Sequence, residues 1–235
     1  MTAREIVDEL KGLGNDTYKA TMAKHGVKEP FFGVKIEDLK KIQKRIKTDY
    51  QLALDLFDTG ISDAMYLAGL IADDAKMTKK DLRRWVEKAG FPLLSEYTVP
   101  WVAAGSPSGR ELALEWIESK KENVASAGWA TLGSLVAITE DADLDLTELK
   151  QLLQRVRNTI HQQPNRVRHV MNGFLIAVGT YVQALTDLAV QTAEKIGRVA
   201  VDMDGTACKV PYAPEYVEKV RQRGAIGKKR KTAKC

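Results

Sequence analysis

The sequence predicts an all-α protein, an α-solenoid in which helical hairpins stack side by side. Apolar residues recur at spacings of three and four along almost the whole chain, which is typical of amphipathic helices. About a dozen such segments follow one another through short links, and no strand hairpin is evident. Pairs of segments recur roughly every 35–40 residues, the rhythm of stacked helix–turn–helix units. A compact all-α bundle is the alternative architecture.

In the first half of the chain, capping residues and helix-terminating glycines mark where the predicted helices begin and end. Thr2 and Glu5 form a capping box at the start of the first helix. Apolar stripes place later helices near residues 36–46, 52–57, 62–71 and 79–89, and Pro92 is expected to open a helix that runs to Val102. Further start and stop signals lie at Asn15, Gly26, Gly60, Ser62, Thr78 with Asp81, and Gly90.

The second half continues the pattern. A helix is expected after Pro107 and Ser108. Residues 122–139 are nearly all apolar or small, so we expect that helix to be buried on most sides. An acidic loop, 140–145, precedes a helix that extends to about residue 160. Asn165 is expected to cap the next helix, and two more are predicted at 184–197 and 215–224.

The charge of the chain is segregated. The 235 residues contain 36 Lys+Arg and 31 Asp+Glu, a net charge of +5. Residues 225–235 hold five bases and no acid, so the rest of the chain is neutral overall. Within that rest, residues 149–186 also carry five bases and no acid. We predict one solenoid domain, 1–224, followed by a flexible basic tail, 225–235, that would bind any polyanion.

Several classes of protein are excluded by composition. No run of about 18 apolar residues could form a spanning helix, and the polar, acidic start is not a secretory signal. The two cysteines form no CxxC, and the three histidines form no HExxH or Cys/His cluster. We therefore expect a cytoplasmic monomer without membrane contact, metal or cofactor.

One segment of the sequence resembles a catalytic motif. The residues from Arg198 to Thr206, with Asp202 and Asp204, resemble the first motif of haloacid-dehalogenase-type phosphatases. That chemistry requires a parallel sheet and later motifs, but only 29 residues follow Thr206. We interpret the string as a turn.

Basic residues cluster around two neighbouring helix ends. The phosphates of a nucleic acid bind to guanidinium groups and to the N–H groups of a helix N-terminus. An ordinary solvated face is the alternative interpretation. The candidate nucleic-acid contacts are Arg155, Arg157, Arg166, Arg168 and His169, and the tail adds Lys228, Lys229, Arg230 and Lys231.

Three segments stand out within the all-helical rhythm: 31–35 (FFGVK), 94–100 (LSEYTVP) and 112–117 (LALEWI). Together with that rhythm they resemble the DNA alkylation repair family. The resemblance implies a fold of HEAT-like repeats related to alkylpurine DNA glycosylases, which excise N3- and N7-alkylated purines from duplex DNA. In that family a carboxylate beside aromatic residues stabilises the cationic sugar as the base leaves, and an arginine holds the backbone.

The resemblance places candidate site residues by position. Glu96 falls where the family has its catalytic Asp, and Pro92 falls where it has a Trp. Gly128 stands at the position of the Arg, and Phe174 at that of a second Trp. Only Glu96 and Phe174 keep related chemistry. Glu96 is therefore the candidate catalytic residue and Phe174 a further candidate DNA contact, whereas Trp101, Trp116 and Trp129 are expected in the core.

The predicted function is binding of duplex DNA on a basic concave solenoid face by a family member diverged at its catalytic positions, without efficient base excision. Two alternatives remain open. One is an active glycosylase that uses Glu96. The other is a helical-repeat scaffold for protein interactions.

Overall fold

The structure, a computed structural model, describes residues 1–203 and 205–234, and these contain helices but no strand. A π-helical turn, Leu93–Thr98, runs directly into an α-helix, Val99–Gly105, where the sequence predicted one continuous helix. The α-helices are α1 (Ala3–Gly12), α2 (Asp16–Lys24), α3 (Ile36–Ile46), α4 (Tyr50–Asp58), α5 (Ser62–Ile71), α6 (Lys79–Lys88), α7 (Val99–Gly105), α8 (Gly109–Trp116), α9 (Glu122–Ile138), α10 (Leu146–Thr159), α11 (Asn165–Tyr181), α12 (Thr186–Ile196) and α13 (Ala213–Gln222).

From α4 onward the helices pair into hairpins that stack in two layers. Helices α5, α7, α9 and α11 lie side by side in what we call the front layer. Helices α4, α6, α8, α10 and α12 form the back layer. The apolar helix α9 contacts α7, α8 and α11 and is buried along most of its length, as predicted. This stacking confirms the α-solenoid.

The caps that bound the helices follow from the sequence. Thr2 with Glu5, and Thr78 with Asp81, both form the expected capping boxes. Asn15 also caps α2, since its side chain accepts a hydrogen bond from the N–H of Tyr18. These caps satisfy helix N–H groups that would otherwise lack partners.

The tryptophans pack in the core. Trp85 stacks on Phe57 with ring centres 4.0 Å apart, and Trp129 packs against Phe174 at 5.3 Å. Trp101 and Trp116 are also buried. Each such ring removes a large apolar area from water, so these residues stabilise the solenoid rather than stack on bases.

Ion pairs connect successive repeats along the back layer. Arg83 of α6 binds Glu115 of α8, and Arg110 of α8 binds Glu148 of α10, each with a closest contact of 2.5 Å. The partners lie 32 and 38 residues apart, which matches the predicted repeat. Exposed pairs contribute little stability, about 0–1 kcal/mol each, but each of them neutralises the charges of its own partners.

Gly128 lies where α8 and α9 pack most closely. A Cβ added there would stand 2.7 Å from the amide nitrogen of Ile117 and 2.9 Å from the carbonyl oxygen of Ala113. These are backbone atoms, which cannot move without separating the helices. Gly128 therefore faces the back layer, and an arginine at this position would point away from the front layer.

Replacing Gly128 with alanine is expected to destabilise the protein by about 1–3 kcal/mol, because the added methyl group overpacks the crossing. Gly133→Ala is the matched control on the same helix, since its Cβ would meet its nearest atom at 3.6 Å. That change should be neutral or stabilise by up to about 1 kcal/mol. Urea unfolding compares the two; equal losses would contradict the assigned close crossing.

The C-terminal tail differs from the expected flexible polycation. The Arg230 N–H donates to the carbonyl of Ala137 at 2.8 Å, and the Gly227 N–H donates to the carbonyl of Thr180 at 2.8 Å. Lys229 pairs with Asp141, and Lys234 pairs with Asp74, both at 2.8 Å. The tail packs here because lysine ammonium groups and helix C-terminal carbonyls attract each other. Cys235, the last tail residue, lies outside the described residues.

Lys234→Ala is expected to destabilise the protein at neutral pH by about 1–3 kcal/mol, because it leaves Asp74 without its cation. Burial raises the pKa of Asp74, and Lys234 opposes that rise. Without Lys234 the pKa of Asp74 rises further, so the native state loses stability as pH increases through that pKa. The stability gap between variant and wild type should shrink on acidification. Urea titrations across pH test this, and a gap that widens at low pH would contradict the pairing.

No single helix of the described ranges is long and apolar enough to cross a membrane; the consecutive pair Asn165–Tyr181 and Gln183–Ile196 meets both criteria together but is bent by 114°.

Candidate nucleic-acid interface

A groove of about 720 Å³ opens on the C-terminal half of the front layer. Helices α9 and α11 form its floor, the π-helical turn lies at one end, and α13 with the tail forms a wall. Small residues such as Gly133 and Gly173 form part of its floor beside the larger Trp129 and Phe174, and other aromatic and basic side chains lie around it. Its lining includes Glu96, Tyr97, Gly133, His169, Gly173, Tyr216, Val220, Arg223, Lys228 and Arg230.

Glu96 is buried at the end of the groove. The π-helical turn places its side chain inward, with 2% exposed, and turns the neighbouring Tyr97 outward. Arg166 binds Glu96 with two hydrogen bonds, Nε to Oε1 and Nη2 to Oε2, each 2.6 Å long. His169 Nδ1 lies 3.0 Å from the same Oε2. Both carboxylate oxygens are therefore occupied by side chains of α11.

The pairing changes what Glu96 can do chemically. A bidentate guanidinium cancels the carboxylate charge and fixes its orientation. Separating such a buried pair leaves an uncompensated charge and costs about 3–5 kcal/mol. Glu96 is thus held as a structural anion, and Arg166, which the sequence assigned to phosphate binding, is its counter-ion.

The loop that follows α12 covers this ion pair. Asn165 does not cap α11 as predicted; instead it exchanges two hydrogen bonds of 2.8 Å with the backbone of Asp202. Arg166 Nη1 lies 3.8 Å from the sulfur of Met203. The Thr206 N–H donates to the Met203 carbonyl, which confirms a turn in the phosphatase-like string. Asp204 lies outside the described residues.

The predicted contacts on α10 lie elsewhere. Arg155 pairs with Glu118, in the turn that follows α8, and donates to the carbonyl of Ile117, so it belongs to the back-layer ion pairs. Arg157 is exposed on the same helix and hydrogen-bonds Asn158. Neither lines the groove. Sequence proximity to α11 was misleading because consecutive helices of a hairpin occupy opposite layers.

Two predicted contacts on α11 also differ from expectation. Phe174 is 1% exposed and packs on Trp129, so its ring cannot stack on a base. Arg168 is half-buried and donates to Asn165 rather than facing the groove. Of the α11 candidates, His169 and Phe174 line the groove, but Phe174 does so as a buried ring.

The tail lysines separate into two sets. Lys229 is 9% exposed and is used internally against Asp141. Lys228 and Arg230 are exposed and line the groove, whereas Lys231 is exposed outside it. The expected tail contacts thus reduce to Lys228 and Arg230 at the groove itself.

Sequence reasoning missed the face of α13 that closes the groove. Tyr216, Val220 and Arg223 follow the i, i+4, i+7 spacing of one helical face, and all three line the groove. Within the described residues, no carboxylate pairs with Arg223, Lys228 or Arg230. Among the described residues the groove therefore has three such cations, Arg223, Lys228 and Arg230, and one acid, Glu96, which is neutralised by Arg166.

Tyr97, the neighbour of Glu96, has a hydroxyl with a raised pKa. Partial burial, and secondarily the nearby Glu96 carboxylate, raise the pKa of its hydroxyl. Tyr97, like any tyrosine, is an uncharged ring at neutral pH. The described part of the chain contains no group of three or more His, Cys, Asp or Glu side chains that could hold a metal ion.

The fold and this site define a helical-repeat protein with a positively charged cleft. The chain belongs to the DNA alkylation repair enzyme family, whose model matches residues 6–217. It is 33% identical over 229 residues to the uncharacterized proteins Lin0241 of Listeria innocua and Lmo0209 of Listeria monocytogenes, covering 95% of this chain and 99% of each relative.

A solved structure shares the whole architecture. It is described as a new family of proteins related to the HEAT-like repeat DNA glycosylases, with affinity for branched DNA structures. The TM-score is 0.92 at 35% sequence identity, and the likeness covers 100% of both chains. The solenoid is thus of the HEAT-like repeat type.

Proposed function

We propose that this protein binds branched DNA in the groove of the front layer and does not excise bases. The observation that carries the proposal is the charge of the groove: Arg223, Lys228 and Arg230 have no acidic partner among the described residues, and Glu96 is neutralised. Unpaired guanidinium and ammonium groups on a concave surface bind phosphates. The affinity for branched DNA of the structurally similar protein supports the choice of ligand.

The proposal refines the predicted duplex ligand. A junction presents duplex arms, but it also concentrates phosphates where the arms meet, and a compact set of cations suits that density. The same three cations, which have no acidic partner among the described residues, favour a polyanion over the protein partner of a scaffold.

Loss of excision follows from the Glu96–Arg166 pair. A carboxylate accelerates glycosidic cleavage when it stabilises the developing sugar cation of the transition state more than it stabilises the ground state. In this chain that charge already faces Arg166 at 2.6 Å. The arginine of the family has no equivalent at Gly128, which faces α8.

Two measurements on the wild-type protein test the proposal. Fluorescence anisotropy should show tighter binding to a four-way junction than to a linear duplex built from the same arms. A base-release assay on N-methylated duplex should show no release above the protein-free rate, with an active alkylpurine glycosylase as the positive control. Equal affinity for both DNAs would contradict branch recognition. Base release that disappears in Glu96→Gln would establish the glycosylase instead.

A further inference from the structure

We infer that the groove takes an unpaired, single-stranded segment of DNA at the branch, with bases stacked on Tyr97 and Tyr216 and phosphates on Arg223, Lys228 and Arg230. The inference rests on the proposed function and extends it, because it names which part of a branched DNA enters the groove. Proteins that bind single strands combine aromatic stacking surfaces with a cationic path for the backbone.

The first support is the position of the exposed aromatic rings. Across the described residues, only five large hydrophobic side chains are exposed: Met1, Leu13, Tyr97, Leu188 and Tyr216. The two tyrosines, 43% and 47% exposed, both line this groove. They come from opposite parts of the chain, the π-helical turn and α13. An exposed ring has an unused stacking face, and every base can use it.

The second support is the floor between the rings. Gly133 and Gly173 lie on the floor, and a Cβ added at Gly173 would meet no atom within 4 Å. Small residues here leave room for a flat base to approach the helix backbone. The volume of about 720 Å³ lies within the range of clefts for small ligands, about 300–1,000 Å³. A cleft of this size can enclose one or a few unpaired nucleotides, which are comparable in size to such ligands.

The third support is electrostatic. Tyr97, like any tyrosine, is uncharged at neutral pH, and its raised pKa keeps it uncharged in more alkaline solution, so it does not repel phosphate. Arg223 follows Tyr216 by two helical turns on the same face of α13, and Lys228 and Arg230 lie in the tail beside it. A base stacked on Tyr216 therefore has cations nearby for its own phosphates.

The test compares three DNAs of equal arm length by anisotropy: a fork with two unpaired arms, a fully paired three-way junction, and a linear duplex. Wild type should bind the fork most tightly. Tyr97→Leu with Tyr216→Leu should weaken fork binding by about five- to 150-fold for each stacked base lost, and should change binding to the fully paired junction much less. Tyr97→Phe with Tyr216→Phe keeps the rings and should retain wild-type affinity.

Two further measurements keep the result interpretable. Gly173→Leu fills the open floor without a steric clash at Cβ and should reproduce the loss on the fork, so the test does not depend on tolerance of changes at Tyr97. 2-Aminopurine in an unpaired arm should lose fluorescence with wild type and not with the double leucine variant. Leu188→Ala, an exposed apolar residue outside the groove, is the control.

The possible failures are distinguishable. Equal binding of fork and fully paired junction by wild type, with leucine variants that affect both alike, would overturn this inference and leave branched-DNA binding intact. No preference of wild type for either branched DNA over the linear duplex would instead overturn the proposed function.

Discussion

Arg166→Ala is expected to destabilise the protein by about 3–5 kcal/mol, because it leaves the carboxylate of Glu96 buried without its counter-ion. Glu96 is 2% exposed, and Arg166 supplies two of its hydrogen bonds at 2.6 Å. Domains of ordinary stability have only about 5–15 kcal/mol in total, so the loss is a large fraction of the whole. Urea unfolding monitored by circular dichroism measures it.

Arg83→Ala is the matched control. Arg83 binds Glu115 with the same two-bond geometry, but both side chains are nearly half exposed. Its loss should cost less than about 1 kcal/mol, since exposed pairs contribute little. Removing both buried partners together, by Glu96→Leu with Arg166→Leu, should cost less than Arg166→Ala alone. Equal effects of Arg166→Ala and Arg83→Ala would show that Glu96 does not depend on its partner.

Removing the three groove cations together is expected to weaken binding of a four-way junction by roughly 10²- to 10³-fold at low salt, as each substitution loses a charge-assisted phosphate contact. The variant is Arg223→Ala, Lys228→Ala and Arg230→Ala. The dependence of log affinity on log salt should also become shallower by roughly 2.7, about 0.9 for each contact. Anisotropy titrations at several salt concentrations give both quantities.

The matched control removes the same total charge from the back layer. Lys150, Arg157 and Lys195 are exposed on α10 and α12, and none of them lines the groove. Their replacement by alanine should change affinity only slightly. If both triple variants lost affinity equally, net charge rather than the groove would explain binding.

The sequence predicted the solenoid well because its signals are local. Capping boxes at Thr2 and Thr78 and apolar stripes each depend on residues three or four positions apart. The ion pairs Arg83–Glu115 and Arg110–Glu148 follow the same repeat, because their partners are separated by 32 and 38 positions. The boundary at residues 93–105 was less accurate, because a π-helical turn keeps the same local composition as an α-helix.

The site was harder to predict because its contacts are distant in sequence. Glu96 was placed by resemblance, but its partner Arg166 lies 70 positions away and was read as a phosphate ligand. Arg155 was assigned to the same surface although the hairpin puts it in the opposite layer. The tail was expected to be free because its composition shows only charge, whereas Lys229 and Lys234 find carboxylates that the fold brings near.

Photo-crosslinking tests the central claim, that branched DNA occupies the groove, most directly. p-Benzoylphenylalanine at position 216 places a crosslinker on the groove rim, and the same residue at position 188 places one at an exposed apolar site outside it. With a labelled four-way junction, irradiation should give a protein–DNA adduct from position 216 and none from position 188. An adduct from position 188 without one from position 216 would contradict the claim.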